Sequence, residues 1–141
     1  MSLLNNMSYI FKTKIYYEDT DAGGVVYYAN YLRYFERART EFLEYLGIRV
    51  AEIAKQGIKF VVVKAEIEYI SPALLGDILE IETEITELKK VSMIFDYKVF
   101  REKDKKLITK GMTKLACVDN NLRPLKIPLE IYHKIYTNKN K

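Results

Sequence analysis

A predicted helix beginning between Tyr28 and Asn30 carries Tyr31, Leu32, Phe35, Ala38, Phe42, Leu43 and Leu46 at helical spacing. Its aromatic residues fall on more than one side, so it needs cover over a wide arc, which a sheet wrapped around it would supply. Asn30 is a candidate cap and Gly47 is placed to end the helix. The tyrosines and Phe35 read as core rather than as a ligand box, because aromatic side chains dominate cores. Glu36, Arg37, Arg39, Glu41 and Glu44 fill the remaining positions, where spacings such as Arg37 with Glu41 suit surface ion pairs.

The sheet is legible in the rest of the chain. Tyr9 to Tyr17 reads as a strand, and a short helical piece around Val50 to Gln56 stops at Gly57. Phe60 to Ile70 begins as a continuous apolar run and then alternates, as a central strand would if its early half were covered on both faces. Ser71-Pro72 breaks it. Between Asp77 and Leu88 the apolar set is Leu79, Ile81, Thr83 and Ile85; between Val91 and Arg101 it is Val91, Met93, Phe95, Tyr97 and Val99. With Leu107 to Val118, and with turns at Lys89-Lys90 and Glu102 to Lys106, these strands predict an antiparallel meander. Asp119-Asn120-Asn121 closes it, and Pro128 opens a terminal helix through Tyr136. The expectation is one α+β domain spanning residues 1–141, frayed at 1–8 and 137–141.

Composition narrows the function. The chain has 141 residues, a formal charge of +4 and mixed charges without a basic face, so nucleic-acid binding is not expected. A single cysteine, Cys117, excludes an intramolecular disulfide and suits a reducing cytoplasmic location; within an alternating strand it reads as a small buried apolar residue. The start lacks the basic and apolar segments of a secretory signal, Met7 is an alternative start, and no integral membrane segment is expected. The sole histidine, His133, falls in the terminal helix and reads as a surface residue. No serine elbow, phosphate loop, dinucleotide fingerprint or metal-ligand set is present, so neither a metal nor a separate cofactor is expected.

What remains is carboxylate chemistry in the turn between the first strand and the helix. Asp19 and Asp21 stand on one side of Gly23-Gly24 and the helix start stands on the other. Glycines permit unusual backbone angles and close approach of a ligand, and a helix start presents unpaired N–H groups with a partial positive charge. Asp21 could attack a thioester carbonyl or take a proton from water, while an N–H near Tyr28 receives the charge developing on the carbonyl oxygen. The helix end should also keep a buried Asp21 ionised. The commoner fate of such aspartates is a turn cap or helix-dipole partner, the alternative for Asp21 and the reading for Asp19.

Asp-Thr-Asp-Ala-Gly-Gly-Val-Val-Tyr-Tyr-Ala-Asn-Tyr followed by Phe-Glu-Arg-Ala-Arg resembles the signature of the 4-hydroxybenzoyl-CoA thioesterase family, and within it the Tol–Pal-associated acyl-CoA thioesterases. The resemblance implies the hotdog fold, a curved antiparallel sheet around one long helix, assembled as a dimer or a dimer of dimers (a homotetramer). It puts the nucleophile or general base on Asp21. Many bacterial members of that group carry histidine seven residues later, where this chain has Tyr28, as do the hydroxybenzoyl-type members. The resemblance makes Tyr28 a pocket residue, and Tyr17, Gly24 and Val25 are further substrate-binding candidates. It assigns Lys89 and Lys90 to the CoA phosphates, serving a neighbouring subunit's site; solvated turn lysines are the alternative. The implied activity is hydrolysis of an acyl-CoA thioester, CoA being part of the substrate. A non-catalytic acyl-thioester-binding module and a hotdog dehydratase are the rivals, the latter lacking the histidine its chemistry uses.

Overall fold

The computed structural model describes residues 7–139. Its elements run β1 (Tyr9–Lys14), α1 (Asn30–Tyr45), α2 (Val50–Lys55), β2 (Lys59–Tyr69), β3 (Ile78–Leu88), β4 (Ser92–Arg101), β5 (Leu107–Val118) and α3 (Leu129–Lys139). The strands form one antiparallel five-stranded sheet in the order β1-β3-β4-β5-β2. This is the α+β arrangement the sequence predicts, in the predicted element order.

Strand alternation decides which face meets α1. Leu79, Ile81, Thr83 and Ile85 of β3 are buried, as are Met93, Phe95, Tyr97 and Val99 of β4, while Glu80, Glu82 and Glu84 between them remain partly exposed. Onto that apolar face α1 lays Phe35, Ala38 and Phe42, all fully buried. Phe35 stacks on Tyr97 with centroids 4.1 Å apart, and Phe42 lies 5.8 Å from Tyr9 of β1 and 6.5 Å from Phe95. Burying an aromatic ring of this size contributes about 1.5–3 kcal/mol. These contacts spread the helix across the sheet. Close approach at β5 depends on Gly111, paired opposite Tyr97, where an added Cβ would stand 2.4 Å from the Phe35 ring. At the other end of α1, Gly47 has φ +90° and Ile48 N–H donates to the Leu43 carbonyl at 2.8 Å, the C-terminal closure glycine permits.

Several local expectations give way to packing. The buried stripe of α1 runs through Tyr31, Tyr34, Phe35, Ala38 and Phe42, so Tyr34 is inside and Leu32, one position out of phase, is exposed. Arg37 and Glu41 form no ion pair among the described residues. The first strand ends at Lys14 rather than Tyr17, because the Asp19 carboxylate accepts the Tyr16 N–H at 2.9 Å and folds Tyr17–Asp19 into a short 3-10 turn. The run from Phe60 to Ile70 is not covered on both faces: among the described residues β2 pairs only with β5, forms a sheet edge, and leaves Val62 and Val63 46% and 56% exposed. Helix α3 follows Pro128 and extends to Lys139, past the expected stop at Tyr136. It buries Ile131 and Ile135. Met7 packs against the core, whereas the expected fraying of residues 1–6 and 140–141 lies outside the described residues.

Candidate active site

The stretch from Asp19 to Asn30 folds as two limbs pinned together. The Asp19 carbonyl accepts the Tyr27 N–H at 2.9 Å and the buried Asn30 side chain at 3.1 Å, and Asn30 also reaches the Asp19 carboxylate at 3.4 Å. Asn30 is therefore not a side-chain cap; it clasps the acidic limb to the first turn of α1. Between the pins, Asp21 N–H donates to the Val25 carbonyl at 2.9 Å and Gly24 N–H to the Asp21 carbonyl at 3.0 Å, closing a tight turn with Gly24 at φ +78°. The carboxylate is fixed within that turn, since Asp21 Oδ1 accepts the Gly23 N–H at 2.8 Å. Asp21 Oδ2 has no hydrogen-bond partner among the described residues. Asp21 is exposed, so the expected burial cost does not arise.

At the opposite limb, α1 opens with i to i−3 bonds. Asn30, Tyr31 and Leu32 N–H groups donate to the carbonyls of Tyr27, Tyr28 and Ala29 at 2.9, 3.3 and 3.3 Å. The N–H groups of Tyr28 and Ala29 have no acceptor among the described residues. Unpaired amides at a helix start are ready donors to a negatively polarised oxygen.

A second segment supplies the far wall. Val26 N–H donates to the Ala73 carbonyl at 2.8 Å and Val25 bridges to Leu74, which brings the end of β2 and the following loop beside the turn. Asp77 and Arg101 brace that loop. The Asp77 carboxylate accepts the Leu74 N–H at 2.9 Å and Arg101 Nε at 3.0 Å, and Arg101 Nη2 donates to the Pro72 carbonyl at 2.9 Å. Between the two segments lies a cleft of about 560 Å³ lined by Asp21, Val25, Val26, Tyr28, Tyr31, Tyr69, Ile70, Ser71 and Pro72. Its walls are chiefly apolar and aromatic, with the carboxylate and the helix start at one side. Burial pushes the Tyr31 phenol up, and the Tyr34 phenol further, with the Asp19 charge adding to the second. Both therefore stay neutral at ordinary pH.

Of the expected site residues, Asp21, Val25 and Tyr28 meet in this cleft. Gly24 shapes the turn from behind without lining it, and Tyr17 is 81% exposed in the 3-10 turn, away from the cleft lining. Lys89 and Lys90 lie beyond the opposite end of β3, roughly 30 Å of strand away within one chain; Lys89 pairs with Glu87 at 3.7 Å. His133 is exposed on α3. Cys117 is buried, and burial pushes its thiol up, away from reactivity. Among the described residues no three or more His, Cys, Asp or Glu side chains are grouped to hold a metal ion. Sequence reasoning missed Tyr69, Ile70 and Pro72 as walls and took Tyr31 for core alone. The only signal for the walls was the Ser71-Pro72 break, which says where a strand ends and not what it faces.

Comparison with known proteins agrees with this geometry. The family model of the thioesterase-like superfamily matches residues 16–135. Acyl-CoA thioesterase YbgC of Haemophilus influenzae is 40% identical over 131 residues, 92% of this chain and 94% of that protein. Acyl-CoA thioester hydrolase YbgC of Escherichia coli O6:H1 is 37% identical over 129 residues, 91% of this chain and 96% of that one. Among solved structures, the DHNA-CoA thioesterase of Staphylococcus aureus superposes with a TM-score of 0.87 at 27% identity, covering 93% of this chain and 89% of that one. The sheet and its long helix are thus the hotdog arrangement that the acidic turn led us to expect. With matches running from the 3-10 turn to α3, the chain belongs to the thioesterase-like superfamily.

Proposed function

We propose that this enzyme hydrolyses acyl-CoA thioesters to the free acid and CoA in the cleft between α1 and the end of β2, with Asp21 as its reacting carboxylate. One observation carries the reading: Asp21, whose Oδ2 has no hydrogen-bond partner among the described residues, and Tyr28, at the start of α1 where the Tyr28 and Ala29 N–H groups have no acceptor among those residues, line a single cleft. A thioester carbonyl bound there meets donors for its oxygen and a carboxylate for its carbon or for an attacking water. In one course Asp21 adds to the carbonyl, the C–S bond breaks to release the CoA thiolate, and water then cleaves the mixed anhydride. In the other Asp21 takes a proton from water as that water attacks, and the proton passes to the leaving sulfur. Both courses give the same products. A thiolate leaves more readily than an amine, so neither course depends on a dedicated acid for the leaving sulfur.

The apolar cleft would hold the acyl group, with Val25 and Tyr28 on the side of the turn. The reading needs no metal and no separate cofactor. The exposed β2 edge, with Val62 and Val63 facing out, suits pairing with a second copy. In such a dimer, or a dimer of dimers, Lys89 and Lys90 would meet the CoA phosphates at a neighbour's site; a monomeric mass in solution would remove this part. No helix among the described residues is long and apolar enough to cross a membrane. A cytoplasmic setting fits a single buried thiol.

The test is thiol release from short, long and aromatic acyl-CoAs by the wild-type protein and Asp21→Asn. We expect turnover by the wild type and a loss of at least about a hundredfold in kcat in the variant, the scale of a missing acid–base or nucleophilic group. An Asp21→Asn variant as active as wild type refutes the mechanism. Wild-type binding without turnover would favour an acyl-thioester-binding module instead.

A further inference from the structure

We infer that Tyr69, at the end of β2, is a positioning residue for the helix-start amides, acting through its hydroxyl on the peptide that joins Tyr28 to Ala29. This rests on the hydrolytic reading above and extends it to a residue outside the acidic turn. The Tyr69 hydroxyl donates to the Tyr28 carbonyl at 3.3 Å, across 41 residues of sequence. That carbonyl belongs to the same peptide as the Ala29 N–H, one of the two amides without an acceptor among the described residues. Peptide atoms are coplanar, so a bond that fixes the direction of the C=O also fixes the opposite direction of the N–H. A hydrogen bond accepted by the oxygen further polarises the peptide and makes its N–H a stronger donor.

The ring of Tyr69 is held for this task. It meets Tyr28 edge-on at 5.7 Å and Tyr31 at 5.9 Å, and all three line the cleft. Tyr69 nevertheless remains half exposed, so its placement owes more to these two rings and the hydroxyl than to deep burial. The other bond to the Tyr28 carbonyl, from Tyr31 N–H, is also 3.3 Å and lies along the helix. Tyr69 is the lateral restraint. Without it the Tyr28–Ala29 peptide is held from one direction only, at the point where α1 is not yet a full i to i−4 helix. The transition state, with more negative charge on its oxygen than the bound thioester, loses more from a misdirected donor than the ground state does.

The experiment compares Tyr69→Phe and Tyr69→Ala with wild type by steady-state thiol release on the best acyl-CoA from the panel, with melting temperature measured alongside. The expected result for Tyr69→Phe is a fall of about three- to thirtyfold in kcat, less than the hundred- to thousandfold of losing an oxyanion donor outright. KM should stay within about twofold and the melting temperature should not change, since ring and wall are retained. Tyr69→Ala should add a rise in KM. A Tyr69→Phe enzyme with wild-type kcat overturns the inference. So does a rise in KM at constant kcat, which would make Tyr69 a wall only, or a loss of activity that tracks a lowered melting temperature. If Asp21→Asn abolishes turnover while Tyr69→Phe changes nothing, this inference fails alone and the hydrolytic reading stands.

Discussion

Two adjacent glycines in the acidic turn do different work. Gly24 occupies the left-handed region at φ +78° with open space where a Cβ would go, so its need is conformational. Gly23 has an ordinary φ, but a Cβ there would lie 3.3 Å from Asp21 Oδ1, the oxygen its own N–H holds. Gly23→Ala should therefore push the carboxylate off its line. We expect kcat to fall about tenfold with KM nearly unchanged, as small misplacements of a reacting group act on the chemical step. Thiol-release kinetics check this, and an unaltered kcat would show that the carboxylate's aim tolerates displacement. At this scale the sequence pointed to Asp21 by its turn chemistry and to Tyr28 by the family resemblance, and with Val25 they meet in the cleft. It concealed Tyr69 to Pro72, which reach the site only through the pairing of Val25 and Val26 with Ala73 and Leu74. Long-range pairing leaves no mark in local spacing.

Helix α1 meets the sheet at a place no periodicity points to. Phe35 fills the space above Gly111 and stacks on Tyr97, so the helix-to-sheet spacing is set by a missing side chain. Gly111→Ala should force the ring or the helix to shift. The expected cost is about 1–3 kcal/mol, the range for overpacking a filled core. Urea unfolding measures it, and Phe35→Leu in the same chain should recover part. An unchanged midpoint in Gly111→Ala would mean that α1 is not held at this distance by Phe35. The alternating strands β3 and β4 were legible from one dry and one wet face, except at Val91, expected inside but exposed just before β4 begins. The register of β2 was not, because a run such as Phe60 to Val63 looks the same whether it is covered by its own chain or left for another. The α1 stripe was legible as a face, but Tyr34 and Leu32 exchanged places because the sheet, and not the helix, decides where cover ends.

Across the whole molecule, several phenols are buried on or beside α1. Burial raises Tyr31, Tyr34 and Tyr97 above the ordinary value of 10.0, with Asp19 adding to Tyr34, whose hydroxyl has no geometrically sound hydrogen-bond partner among the described residues. A raised folded-state value means that the unfolded chain releases these protons first. The associated stability is complete below the ordinary value and declines as pH rises through it toward the folded value. Melting temperature should accordingly show no loss from these groups up to about pH 10 and fall above it. Tyr34→Phe should lessen the fall and leave stability near pH 7 equal or higher, because it removes an unsatisfied buried hydroxyl. Thermal melts between about pH 8 and about pH 11 decide it; a Tyr34→Phe curve parallel to wild type would mean the phenol ionises freely in the folded chain.

The clasp of Asp19 to Asn30 keeps the acidic turn and the helix mouth within one uninterrupted segment, while Tyr69 to Pro72 come from elsewhere and are braced separately by Arg101. On the proposed reading the reacting carboxylate and the amides rest on the first piece, while the second supplies much of the guest's wall and, through Tyr69, part of the amides' aim. If that holds, Ile70 to Pro72 are the positions where a new guest could be fitted while the clasped carboxylate and its tether to Tyr69 stay as they are.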